Sequence, residues 1–551
     1  MIKIANNTNT LYVWIAFLCI VECLIVIFAS NNTLLDGISC QWRGFSITAS
    51  IVSFIACFVC LKDKCLIFNQ HFSITLIILM CFALTRMCGT VMDYCNVILC
   101  CVLCANLPVL FRKHHLEVIY SFVILIYCVI FISYYINVLL FSNGLNVNEN
   151  TVGYSLLLSL ACVVLLNNIS GIYNHKTKWL GYAVLLLLLL MLVCMRSRTG
   201  LIAVLVSLVP MLKVKKYMFF FILIFCCFFF INKYKTNSTL GRKFIYFTAV
   251  SMITERPSML LQGGGKGYFE RNYMLHQASR LESSDEETCL RADNIHHPLN
   301  EFLLVLIDYG IVVLVFLLAI IVFVFTKTKS RTLRSAMLTI GVFSLFSYPL
   351  QYPVTWFTFI IVGANYILNK RSVKTLRIPT IMINFMISTI LLVLSIYSVY
   401  NDYIWKKAYD NADLGNHMEA AYLYHKILVW QKHNDSYIYS YVRFLAEMGD
   451  YQQAQKMMGY LNVVDYETEI LRGDIYKIQK KYSYSIPHFL LAHKMCPNRF
   501  LPLSALYSMY RENHDYKMQR YIGKKILDKH IKVNSKEIES LKNIITKEIN
   551  E

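Results

Sequence analysis

The chain has 551 residues, 57% of them hydrophobic, and a formal net charge of +20. A mean hydropathy of +0.50 excludes an ordinary soluble globular protein and points to a polytopic membrane protein with a soluble appendage. The charge would suit nucleic acid, but most of it sits in short loops between apolar runs and in a polar tail, so membrane topology accounts for it and no nucleic-acid partner is implied.

In chain order, apolar runs predict spans at about 11–29, 45–61, 72–89, 93–111, 117–141, 152–167, 178–195, 199–213, 217–231, 301–326, 334–350, 353–368 and 379–400. The first is about 20 residues long and lacks a small-residue cleavage site, so it reads as a retained span rather than a removed signal. With the N-terminus inside, the inner loops hold Lys62 and Lys64, Arg112 and Lys113, Lys176 and Lys178, Lys213 to Lys216, Lys327 to Arg334, and Lys370 to Arg377. Such basic loops are cytoplasmic by the positive-inside rule. The opposite set is nearly bare of cations, apart from Arg196 and Arg198 in Arg196-Ser197-Arg198-Thr199-Gly200. A cation that defies topology between two spans commonly has an anion to hold. The long segment 232–300 and the tail from Asn401 then lie outside, which in a bacterial inner membrane means the periplasm.

The predicted fold class is all-α: a polytopic membrane bundle of about 12–13 spans with an outer loop and a C-terminal helical-repeat domain. The expected divisions are 1–231, N-terminal membrane helices; 232–300, periplasmic loop; 301–400, C-terminal membrane helices; and 401–551, periplasmic helical domain. Within the tail, similarity recurs at about 34 residues, as in Gly415-Asn416-His417-Met418-Glu419-Ala420 against Gly449-Asp450-Tyr451-Gln452-Gln453-Ala454, with weaker copies near Lys481-Tyr482 and His514-Asp515-Tyr516. A turn followed some five positions later by a small residue fits the packed helix pairs of tetratricopeptide repeats, which commonly hold a partner; anionic lipid headgroups are the weaker alternative.

Nineteen cysteines suggest a disulfide framework only by number, because most, such as Cys57, Cys100 and Cys227, lie in apolar runs where cysteine acts as a small hydrophobe. Cys40 and Cys289 fall in outer loops and leave one bridge open. No second CxxC pair stands at zinc spacing, so neither a metal nor a cofactor is expected.

The outer loop opens at Gly241-Arg242, passes Tyr246 and Pro257, and runs through Gly263-Gly264-Gly265-Lys266-Gly267-Tyr268-Phe269. It ends in His296-His297-Pro298-Leu299-Asn300-Glu301-Phe302-Leu303, leading into a span. The glycine run lacks the ending of a phosphate-binding loop and reads better as a tight turn with φ > 0. In their order these pieces resemble the O-antigen ligase and polymerase superfamily. That family has a Ser-Arg-x-Gly loop, a long periplasmic loop opening with Gly-Arg, and a His-Pro-His-Asn-Glu-aromatic-Leu motif. The likeness is detailed over roughly 150–370, and Leu299 stands where the family has its second histidine.

The resemblance implies a membrane glycosyltransferase of the GT-C-like kind. Such an enzyme moves a glycan from an undecaprenyl diphosphate carrier to a hydroxyl of lipid A core, of another glycan or of a protein. Arg198, Arg242 and Arg196 would hold the diphosphate, whose leaving develops negative charge that a guanidinium fork matches. His297 would be the general base, with His296 as substitute and Glu301 in a supporting role; Arg86, near the outer end of its span, could join the arginines. The plainer readings are snorkelling for the arginines, helix capping for His297, and dipole-favoured N-terminal positions for Asn300 and Glu301. Alternatives are a protein O-oligosaccharyltransferase of the same superfamily, a flippase for a lipid-linked sugar, or a non-catalytic scaffold.

Overall fold

A computed structural model describes residues 37–63, 66–68, 90–111, 113–141, 151–169, 174–211, 236–369, 372–374, 378–531 and 535–550. The predicted spans 11–29, 72–89 and 217–231, and Arg86, lie outside them. The described residues are overwhelmingly helical, with one antiparallel pair of three-residue strands, Leu66–Phe68 against Ser372–Lys374, in the register Leu66↔Lys374. Six helices among them are long and apolar enough to cross a bilayer: Ile38–Val59, Val91–Leu110, Val152–Ile169, His175–Cys194, Glu301–Lys327 and Ile381–Asp413. Cys40 and Cys289 are both free thiols, so no bridge joins them.

The predicted span 199–213 is shorter than expected. Its helix runs only Arg198–Ser207, and a 3-10 turn at Val209–Met211 follows. Pro210 cannot donate to a helical ladder, and ten residues rise only about 15 Å, half a hydrocarbon core. The span predicted at 301–326 departs from the helix too: Gly310 sits at φ 84°, ψ 174° inside Glu301–Lys327. The last span, predicted to end at 400, continues unbroken to Asp413 because no glycine or proline interrupts it before Gly415.

The chain divides into two compact units. The first holds Met1–Tyr234, Leu299–Phe302 and Val313–Lys406; the second holds Lys235–Pro298, Leu303–Val312 and Lys407–Glu551. The outer loop and the tail thus belong to one body. In the first unit, Arg198–Ser207 packs on Arg331–Phe346, where Ser335 Oγ donates to the Ser207 carbonyl at 2.7 Å. Arg43 Nε lies 2.6 Å from Asp402 Oδ2, so this cation, which also falls in the predicted outer set, has a carboxylate of its own.

The tail of the second unit repeats one turn four times. Gly415, Gly449, Lys480 and His514 all have φ between 56° and 78°; 34 residues separate the first two and the last two, and 31 separate the middle pair. At each, the following N–H reaches back to a carbonyl five residues earlier: Asn416 to Asn411, Asp450 to Leu445, Lys481 to Tyr476 and Asp515 to Tyr510, at 2.8 to 3.0 Å. These are Schellman closures, which satisfy carbonyls orphaned at a helix end. Ala420, Ala454 and Ser485, five positions on, are fully buried, so small size there serves helix packing. Lys480 and His514 adopt this left-handed backbone with a Cβ that disfavours it. Lys480→Gly is therefore expected to stabilise the full-length protein by about 0.5–1 kcal/mol in denaturant unfolding, the relief of strain exceeding the added unfolded-state entropy; an unchanged or lower midpoint would contradict the strain.

Candidate functional site

In the first unit, Ser197 Oγ accepts the Gly200 N–H at 3.2 Å and caps Arg198–Ser207. Gly200 permits close packing: a Cβ there would stand 2.9 Å from Leu192 Cδ2 and 3.0 Å from Ser159 Oγ. The serine and the glycine of Ser-Arg-x-Gly thus have local reasons. The arginines stand against two general preferences. Arg198 occupies the first helical position, where the macrodipole disfavours a cation, and Arg196 sits at φ 51°. Cations at a helix end whose N–H groups already gather positive potential add to that potential.

Glu301 belongs to the same unit and is buried, 4% exposed. Its Oε1 accepts the Leu350 N–H at 2.8 Å, and Asn300 Nδ2 donates to the Leu345 carbonyl at 3.2 Å. The two side chains therefore tie the start of Glu301–Lys327 to the last turn of Arg331–Phe346 and to the turn that follows it.

In the second unit, Arg242 and Tyr246 lie one turn apart on Thr236–Thr254 and hydrogen-bond through their side chains. Burial pushes the Tyr246 hydroxyl pKa up, and the guanidinium partly opposes it.

The glycine run is a bracket around Asp308. Gly263, Gly265 and Gly267 all have positive φ. Gly264 N–H donates to the Ile307 carbonyl at 2.9 Å and Gly265 N–H to the Asp308 carbonyl at 2.8 Å. The buried Asp308 carboxylate accepts the Gly267 and Phe269 N–H groups at 2.9 and 3.1 Å, capping the helix Tyr268–Leu281. A side-chain carboxylate thus fills the place that a phosphate would take in a phosphate-binding loop. Gly310 closes the bracket from the other side, since a Cβ there would lie 2.3 Å from the Leu261 carbonyl oxygen. Gly310→Ala is expected to cost about 2–3 kcal/mol in unfolding, from clash plus left-handed strain. The helical Gly341, whose added Cβ meets nothing within 4 Å, is the control: its alanine variant should unfold no earlier than the parent.

His297 lies half-buried at the end of this loop. Burial, and secondarily the adjacent His296, lowers its pKa from 6.5 to about 4, so its imidazole is neutral at neutral pH. His296 is more open, at 43% side-chain exposure, with Nδ1 4.0 Å from Glu270 Oε1 and Nε2 3.9 Å from Asp465 Oδ2. Leu299, where the resembled family has histidine, adopts φ 53°; a bulky aliphatic residue is a poor choice for that backbone, and histidine a better one.

The candidates therefore fall into two sets: Arg196, Arg198 and Glu301 in one unit, and Arg242, His296 and His297 in the other. Sequence reasoning missed the tail's grip on the segment before His297. Asn498 Nδ2 donates to the Leu290 and Ala292 carbonyls at 3.2 and 2.7 Å, Arg499 Nη2 lies 2.8 Å from Asp293 Oδ1, and Asn294 Nδ2 donates to Asp465 Oδ2 at 3.2 Å. It also missed Asp308, although an acidic residue inside an apolar run is a signal in itself. Compared with protein-family models, curated proteins and solved structures, the chain matches none.

Proposed function

We propose that the protein is a membrane glycosyltransferase of the O-antigen ligase and polymerase type, moving a glycan from an undecaprenyl diphosphate carrier to an acceptor hydroxyl at the periplasmic face. The observation that carries this reading is the pair Arg196 and Arg198 held at a helix N-terminus against dipole and backbone preference. An anionic, membrane-anchored leaving group is what such a place suits. Arg242, hydrogen-bonded to Tyr246, is the loop's own candidate for binding an anion. His297, neutral in the free protein, takes the proton of the acceptor hydroxyl as its oxygen bonds to the anomeric carbon and the diphosphate leaves with the electron pair of the broken bond.

Three features support the orientation. The strand pair joins two predicted inner loops, and the Arg43–Asp402 pair joins two predicted outer ends. Of the four helices between the loop and the tail, two, Glu301–Lys327 and the one holding Ile381–Asp413, are long and apolar enough to cross a bilayer. An even number of crossings returns the chain to the face it left, as one compact body made of loop and tail requires. The tail is then a periplasmic tetratricopeptide-like array.

The test is direct. Purified protein in lipid nanodiscs, given a lipid diphosphate-linked oligosaccharide and candidate acceptors, should release undecaprenyl diphosphate stoichiometrically with product; the native acceptor is found by mass spectrometry of envelope glycans in a deletion strain. Absence of release with every acceptor overturns the reading.

The pH profile gives a second check. The folded pKa of His297 lies below its ordinary 6.5, so protonation is disfavoured down to about 4. Its contribution to stability is present above 6.5 and lost as pH falls toward 4. For activity, kcat/KM should stay flat from pH 8 to 5.5, because the free enzyme's base is already neutral there. A bound diphosphate raises the value, since a nearby anion favours imidazolium, so the acid limb of kcat should lie at higher pH than that of kcat/KM. Coincident limbs near 6.5 would exclude His297 as the base.

A further inference from the structure

The second unit contains a half-enclosed cavity of about 200 Å³, whose walls come from Thr236–Thr254, Tyr268–Leu281, Glu286–Arg291 and the irregular stretch up to Ile295. Gly241 and Lys243, the neighbours of Arg242, line it on one side, and Ile295, two residues before His297, lines it on the other. Its walls thus include parts of the two chain segments that carry Arg242 and His297, although neither residue lines it.

Its lining mixes Phe244 and Phe247 with Gln277, Arg291 and Asp293. Aromatic rings beside planar amide, guanidinium and carboxylate groups suit a pyranose, which offers an apolar face and an equatorial rim of hydroxyls. The polar groups are held in place: Gln277 Nε2 donates to the Asp293 and Met495 carbonyls, both at 2.9 Å, and Arg291 pairs with Glu287. Both Gln277 N–H groups are thus spent within the protein, which holds its Oε1 as a fixed acceptor that needs no ordering to meet a hydroxyl.

Gly241 supplies an independent observation. It stands inside the helix Thr236–Thr254, where glycine is unfavourable relative to alanine. Packing gives it no reason to be there: a Cβ would meet nothing within 4 Å. Among the described residues the missing side chain leaves open space at the cavity wall, which a larger side chain would enter.

We propose that this cavity is a saccharide subsite that seats one pyranose unit of the glycan. It deepens the glycosyltransferase reading and rests on it for the source of the sugar, which is either the carried glycan or the accepting one. The experiment uses full-length protein in nanodiscs, with Gly241→Ala as a helix-favouring control and Gly241→Leu as the occluding variant; unfolding midpoints verify that both fold. Binding is read by saturation-transfer NMR with methyl pyranosides (glucoside, galactoside, N-acetylglucosaminide and glucuronide), and transfer is read separately. At least one pyranoside should bind the parent, and Gly241→Leu should abolish that binding. Gly241→Leu should also raise KM at least tenfold, for the donor if the carried glycan is seated there and for the acceptor if the accepting one is. Pyranoside binding that depends on Gly241 in a protein devoid of transfer would keep the subsite and remove the enzymatic reading. Transfer by Gly241→Leu with both KM values unchanged would overturn the subsite and leave the enzymatic reading standing.

Discussion

A His297→Ala protein is expected to transfer glycan about 10²–10⁴-fold more slowly than the parent, with donor KM little changed, because a general base acts in the transition state and not in donor binding. Added imidazole should restore part of the rate, since the half-buried ring leaves a space of its own size. Arg198→Ala is expected to lose about 10²–10³-fold, the usual effect of removing one group that stabilises developing charge. Arg198→Lys should recover only part of this, because an ammonium lacks the planar fork that matches two phosphate oxygens. Neither variant should unfold earlier by more than about 1 kcal/mol, since the cap of this helix comes from Ser197 and its packing from Gly200. On the proposed mechanism both residues serve one displacement, so the double variant is expected to be less impaired than the product of the singles. If either single variant kept more than half the parental rate, the residue concerned would have no part in the chemistry.

Much of this architecture was legible in the sequence because hydropathy and turn chemistry are local. Runs predicted at 93–111 and 152–167 became the helices Val91–Leu110 and Thr151–Ile169. The tail's periodicity was visible because each Schellman closure lies within six consecutive residues, and Gly415 and Gly449 announce it. Lys480 and His514 were harder to see, since they adopt the same backbone without the residue that marks it. Departures within apolar runs stayed hidden for a related reason. Hydropathy averages composition over a window and does not register φ, so Gly310 and the Asp308 bracket vanished inside a strongly apolar stretch. The resemblance pointed to Arg198, Arg242 and His297. It gave Glu301 a supporting role without showing that its carboxylate holds the Leu350 amide. Nothing local could reveal that Asn498 would meet Leu290 and Ala292, 208 and 206 residues away in sequence.

That long-range contact leads to a prediction about the tail that the repeat pattern alone would not make. The stretch Leu290–Asn294, which delivers the chain to His297, lies outside regular structure from Ala292 onward, so its backbone polar groups need partners from elsewhere. The tail provides them: Asn498 for two carbonyls, Arg499 for the Asp293 carboxylate, and Asp465 for the Asn294 amide, whose Oδ1 in turn accepts the Tyr466 N–H at 3.4 Å. Lys494 pairs with Glu282 at 2.6 Å, and Gln277 bridges Asp293 to Met495. Removing residues 417–551 should therefore abolish transfer even with a soluble saccharide acceptor that needs no recruitment. A tail that served only to recruit an acceptor would leave such transfer intact. The finer test is Asn498→Asp, nearly the same shape, which replaces the donor to two carbonyls with an acceptor that repels them. Displacement of the His297 segment by about 1 Å should cost roughly 10²-fold in kcat with donor KM unchanged. Arg499→Lys, keeping the charge opposite Asp293, should lose much less than Arg499→Ala. Equal losses in the two Arg499 variants, or full kcat in Asn498→Asp, would mean that the tail does not hold the base in place.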